Sequence, residues 1–122
     1  MDYSGKCVIK IVVGIHGTNK ELSALVDTGF TSGTGFGLVL PTDFARFATF
    51  TGTGHVQVGD GRNIPAETIP NAKILKIEDN DISGDVFLPA IFLEGNSCVG
   101  MMFLQSCLLK LDGPNSVGTM SF

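Results

Sequence analysis

Positive charge is scarce in this 122-residue sequence: eight Lys and Arg stand against twelve Asp and Glu, for a formal net charge of -4. An acidic surface of that kind argues against nucleic acid or an anionic membrane as the main partner. Long apolar runs are missing as well. The longest, from Cys7 to Ile15, is interrupted by Lys10 and is too short and too charged to span a bilayer. The first residues, Met-Asp-Tyr-Ser-Gly-Lys, hold no basic stretch leading into an apolar core, so no secretory leader is expected. Cysteine is limited to Cys7, Cys98 and Cys107, an odd set without Cys-x-x-Cys spacing, and histidine to His16 and His55. Reduced, buried thiols in a cytoplasmic protein fit that set better than a disulfide framework, and the ligand clusters of a metal site are lacking. No Gly-x-Ser-x-Gly occurs, and the glycines at 33, 35 and 37 lack the offset and the βαβ setting of a dinucleotide fingerprint. No cofactor is expected.

What is abundant points to strands. Val, Ile and Thr number 10, 9 and 10, about 24% of the chain, and glycine contributes 16 residues. That balance favours a mostly β fold with many turns. A chain of this length forms one domain, here 1–122, and buries about two thirds of its extended-chain surface without needing a staple. No linker or low-complexity tract divides it.

The order of elements follows from periodicity and turn chemistry. Residues 6–16 and 22–26 read as two strands joined by the polar turn Gly17 to Glu21. A Gly-rich loop, Gly29 to Gly37, leads to a short strand Leu38-Val39-Leu40, and Pro41 opens a brief helix over residues 42–47. A second hairpin starts near His55, turns at Gly59-Asp60-Gly61-Arg62 and returns over about 15 residues to Ile77, with Pro65 and Pro70 suggesting a sheet edge for much of that arm. A strand over 85–93 follows, then a helix of two to three turns over 98–107, then Leu108 to Leu111, a turn at Gly113-Pro114-Asn115 and a terminal strand. Two halves, 6–47 and 55–111, thus repeat an architecture without repeating a sequence.

One motif carries chemistry. In Ala24-Leu25-Val26-Asp27-Thr28-Gly29 three apolar residues bring a strand to a carboxylate, a hydroxyl and a glycine, where a rigid element can present a side chain. Asp-Thr-Gly is equally an ordinary turn sequence. Cys98 sits among apolar neighbours and reads as a buried, inert thiol.

Taken together, Leu25-Val26 before Asp27-Thr28-Gly29, the hairpin with its tip at Gly59-Asp60-Gly61-Arg62, and Cys98-Val99-Gly100 opening the helix resemble the retropepsin-like aspartic proteases, in order and over nearly the whole chain. Phe30 after Asp-Thr-Gly, and the strand ending in Leu40-Pro41, look like the prokaryotic branch labelled by the string DTGF. Where many viral relatives carry a paired Asp and Arg this sequence has Thr31 and Met101, and Gly33 to Gly37 looks like an insertion beside the motif.

The resemblance implies a closed barrel of hairpins with one short C-terminal helix. It implies an aspartic endopeptidase in which two carboxylates share a proton and activate water. Only one Asp-[Ser/Thr]-Gly is present, so the second carboxylate comes from another copy, with Asp27 facing Asp27 across the two-fold axis of a homodimer. Thr28 then bonds across the dimer, Gly29 lets the substrate backbone approach, and Gly59, Asp60, Gly61 and Arg62 form a flap over a peptide or unfolded-protein substrate. Phe30, Leu88 and Val99 are candidate pocket walls, with core packing as the alternative. The rival reading keeps the fold and drops the turnover: a non-catalytic binding or assembly module.

Overall fold

The structure, a computed structural model, describes residues 8–27, 35–57, 61–82, 85–95, 97–104, 108–112 and 117–121. It is mostly β, built around a closed barrel of six strands. The first, β1 (Val8–Ile15), alternates strictly enough to define an inside: Ile9, Ile11, Val13 and Ile15 are buried, while Lys10 faces out toward Glu21 at 3.9 Å. Its partner β2 (Thr18–Val26) begins sooner than the polar composition of 17–21 suggests. Ile15 pairs with Thr18, so the turn is only His16-Gly17, with φ of 45° and 93°. Left-handed geometry at both central residues matches the right-handed twist of a two-residue hairpin, and the polar residues at 18–23 occupy a solvated strand face instead of a loop.

After β2 the chain reaches β3 (Leu38–Leu40), buried along its whole length because it lies between two other strands. Pro41 caps a 3-10 helix, Thr42–Phe47, that packs Phe44 and Phe47 against the barrel's core. A ribbon follows, β4 (Gly52–Gln57) and β5 (Asn63–Ile77), with a two-residue strand β6 (Asn80–Asp81) folded back on the end of β5. Then come β7 (Phe87–Phe92), β8 (Cys98–Val99), one helical turn α1 (Met101–Leu104), and the paired strands β9 (Leu108–Asp112) and β10 (Val117–Ser121), which form a separate two-stranded sheet. Around the barrel the order is β1-β2-β8-β3-β7-β5, and β5 closes it onto β1.

Two expectations about elements need correction. Cys98 and Val99 do not open a helix. They pair in parallel with Leu25 and Val26 and antiparallel with Leu38 and Val39, because a strand there fills the gap between β2 and β3. The described helix is the single turn after Gly100, and residues 105–107, which would extend it, lie outside the described residues.

The long arm β5 is an edge only at its start. Residues 63–67 pair with β4 alone, so Pro65 does sit on an edge, but 68–77 run between neighbours. Pro70 is tolerated there because the register against β7 shifts between Ile69 and Ala72, where a missing donor breaks no ladder bond. The burial pattern records the same slip: Ile69, Ala72, Ile74 and Ile77 are inside, with breaks in the period of two where β5 bends.

The pairing pattern itself repeats. Antiparallel β1-β2 corresponds to antiparallel β5-β7, and parallel β2-β8 corresponds to parallel β7-β3. The β1-β5 and β3-β8 pairs join the two halves. The repeat legible in the order of elements is therefore also a repeat of hydrogen bonding, with each half lending its last strand to the other. Leu38, Leu40, Val99 and Phe103 meet in one core with the inward face of β1. Each such side chain contributes about 1.5–3 kcal/mol on burial.

Candidate functional site

The end of β2 is held by backbone bonds on its β8 side. Leu25 N–H donates to the Ser97 carbonyl at 2.8 Å, and Asp27 N–H donates to the Val99 carbonyl at 2.9 Å. One residue on, Gly100 N–H donates to the Gly37 carbonyl at 3.0 Å, and Gly37 N–H donates to the Pro89 carbonyl at 2.9 Å. Four chain segments therefore converge within one backbone network, and the side chain of Asp27 projects from it into solvent. A strand end fixed by its own ladder positions a carboxylate more tightly than a free loop does.

Packing explains the glycine that follows the loop. A Cβ on Gly37 would meet the Leu88 Cβ and Cδ1 at 3.3 Å. Leu88 is thus pressed against the β3 entry, and with Val99 it belongs to the hydrophobic core, the packing alternative weighed for both. Phe36 reaches from the same loop end to the β4-β5 ribbon, where its ring edge would lie 3.3 Å from a Cβ on Gly54. That glycine leaves room for Thr68 as well, whose Cγ2 would be only 2.9 Å away.

Electrostatics add one neighbour to Asp27. The half-buried Cys98 thiol has its pKa pushed up, first by burial and second by the nearby Asp27 carboxylate. A thiol so placed stays protonated at neutral pH and is a poor nucleophile, in keeping with the inert reading.

Of the other sequence candidates, Thr28, Gly29, Phe30, Gly59 and Asp60 lie outside the described residues. Gly61, with φ of 87°, and Arg62 are exposed where the ribbon turns into β5. The structure thus joins Asp27 to Val99 by a hydrogen bond and packs Leu88 against Gly37, while Gly61 and Arg62 stand on the ribbon.

Two features escaped sequence reasoning. His16 had no neighbouring motif, yet it ties three segments together. Its Nδ1 accepts from the Thr49 backbone N–H at 2.8 Å, its Nε2 lies 3.1 Å from Asn71 Oδ1, and its ring stacks on Phe50 at 4.8 Å. With Nδ1 accepting, Nε2 carries the proton and donates to Asn71. The second feature is a cleft of about 640 Å³ between the start of β5 and the end of β7. Its lining includes Ile64, Pro65, Glu67, Phe92, Leu93 and Glu94, residues too far apart in sequence to suggest one site.

No family model matches the chain, and no curated protein matches it. Among the described residues no helix is long and apolar enough to cross a membrane.

Proposed function

We propose that the chain is one half of an aspartic endopeptidase of retropepsin-like fold, with Asp27 supplying one of two carboxylates and a second copy supplying the other. The observation that carries this reading is the exposed Asp27 carboxylate at the end of a strand whose backbone is bonded to Val99. The closed β barrel and the Cys98-Val99 strand paired beside Leu25-Val26, with Val99 bonded to Asp27, support it.

Two such carboxylates close together cannot both ionise easily, so the working pair shares one proton. The ionised member takes a proton from water as the water attacks the peptide carbonyl. The protonated member donates to the carbonyl oxygen and stabilises the charge that develops there. The proton then passes to the leaving nitrogen, and no covalent intermediate forms. The two titrations belong to the pair, and activity is greatest at mildly acidic pH, where the singly protonated pair is most populated. Residues 59–62 would close over an extended peptide and exclude water.

The test is cleavage of an unfolded protein by the purified chain and by Asp27→Asn, with the oligomeric state of both read by sedimentation. Loss of cleavage in an intact dimer is expected, and cleavage retained by the variant would sink the proposal. A second reading, a non-catalytic module of the same fold, draws on the cleft between β5 and β7, whose described lining does not include Asp27. A monomer without cleavage would favour it.

A further inference from the structure

We propose that the cleft between the diverging ends of β5 and β7 binds an extended peptide segment bearing a lysine or arginine side chain. The inference does not rest on cleavage at Asp27. Asp27 is not among the residues that line the cleft; it bonds to Val99, which pairs with Leu38 at the start of β3, whereas Leu93 bonds to Leu40 at its end.

The shape of the cleft comes from a sheet that splits. β5 and β7 are paired as far as Thr68 and Ile91, and then they separate. β7 continues along β3, with Leu93 N–H donating to the Leu40 carbonyl at 3.0 Å, while residues 63–67 of β5 continue with β4 alone. The space opened between them holds about 640 Å³, within the range of ligand sites, and is bounded on one side by a strand edge that, among the described residues, no other strand covers. An open edge is a template for an added strand, since an extended peptide can pair with its backbone. Pro65 removes one donor from this edge, so backbone pairing alone is weak and side-chain contacts must decide what binds.

Those contacts have a definite chemistry. Ile64, Pro65, Phe92 and Leu93 give apolar walls, and Glu67 and Glu94 place a carboxylate on each side of the gap. Among the described residues neither glutamate forms an ion pair. Glu67 accepts from the neutral Thr51 hydroxyl at 3.0 Å, which leaves its charge uncompensated. Two negative groups across an apolar cleft favour a cationic head on an aliphatic stem, which is the form of Lys and Arg. They repel phosphate and carboxylate ligands by the same argument.

The probe is a fluorescein-labelled Val-Lys-Val-Lys-Val-Lys peptide, titrated by anisotropy against the full chain carrying Asp27→Asn so that the probe survives. Saturable binding is expected, about tenfold or more tighter than for the matching Val-Glu peptide. Glu67→Gln with Glu94→Gln should weaken it about fivefold or more, because Gln keeps the Thr51 bond and loses only charge. Glu21→Gln with Asp79→Asn removes the same charge from elsewhere on the surface and should change affinity less than about twofold. Bound peptide should also slow amide exchange at residues 63–67. Equal binding of both peptides, equal loss from the two double variants, unchanged exchange at 63–67, or spermidine binding as tightly as the peptide would each overturn the proposal.

Discussion

Asp27 donates its backbone N–H to the carbonyl oxygen of Val99 at 2.9 Å, and Leu93 donates in the same manner to Leu40 at 3.0 Å. The two bonds occupy equivalent positions in the repeated pairing pattern, each just past the end of a parallel strand pair, Val26 with Val99 and Phe92 with Leu40. One architecture thus presents a carboxylate at one end and an apolar side chain at the other. Catalysis is proposed for the first end and peptide capture for the second, and the different residues at matched positions are what separates them.

Adjacency of Asp27 and Cys98 can be read from thiol chemistry. In a chain with Cys7→Ser and Cys107→Ser, iodoacetamide should label Cys98 more slowly than a free thiol at pH 8, because burial and then the carboxylate raise its pKa above 9.0. Asp27→Asn removes only the second cause, so labelling should quicken without reaching the rate of an exposed thiol. An unchanged rate would place the carboxylate away from Cys98. The raised value also links to stability. The folded state keeps the Cys98 proton in a range where the unfolded state has lost it, so this contribution is whole below pH 9.0 and declines as pH rises through the folded-state value.

Gly54 should resist enlargement. Its Cβ would stand 2.9 Å from Thr68 Cγ2 and 3.3 Å from Phe36 Cζ, so Gly54→Ala should destabilise the chain by about 1–3 kcal/mol in urea unfolding. Thr68→Ser removes the Cγ2 and should recover part of that loss in the double variant. Additive effects would mean that the two residues do not touch.

Much of this arrangement was legible in the sequence, and the misses share a cause. The alternation of Ile9, Ile11, Val13 and Ile15, the extent of β5 to Ile77 and the Pro41-capped turn all follow from local periodicity and local chemistry. Cys98-Val99 was misread because two residues carry no period, and their strand conformation is imposed by β2 and β3 on either side. His16-Gly17 was overlooked as a turn because the following polar residues look like loop until their pairing with β1 is known. Asp27 could be singled out by its motif. The cleft could not, since Glu67 and Glu94 come together only through the split of β5 from β7.

His16 offers a way to separate turn geometry from side-chain bonding. Asn also tolerates left-handed φ and Asn-Gly is a favoured hairpin pair, so His16→Asn should keep the β1-β2 turn. It should still lose the Thr49 and Asn71 bonds and the Phe50 stack, at a cost of about 1–2 kcal/mol. An unchanged urea midpoint would mean that the His16 side chain adds nothing beyond its backbone conformation.

Phe103 tests whether the single helical turn belongs to the barrel. It is fully buried in the core cluster with Leu38, Leu40 and Val99, although it comes from an element only four residues long. A helix that short has no stability of its own, so burial of this ring is what holds it. Removing the ring leaves a cavity between α1 and the barrel, and Phe103→Ala should cost about 3–5 kcal/mol. That is a large share of the 5–15 kcal/mol that about this size of domain commands, so the variant should unfold at much lower urea or fail to accumulate. Phe103→Leu keeps most of the volume and should remain folded, with a loss small enough to measure. If the alanine variant unfolds at the parent's midpoint, the turn does not pack on the barrel, and the Val99-Gly100 segment beside Asp27 is not braced from that side.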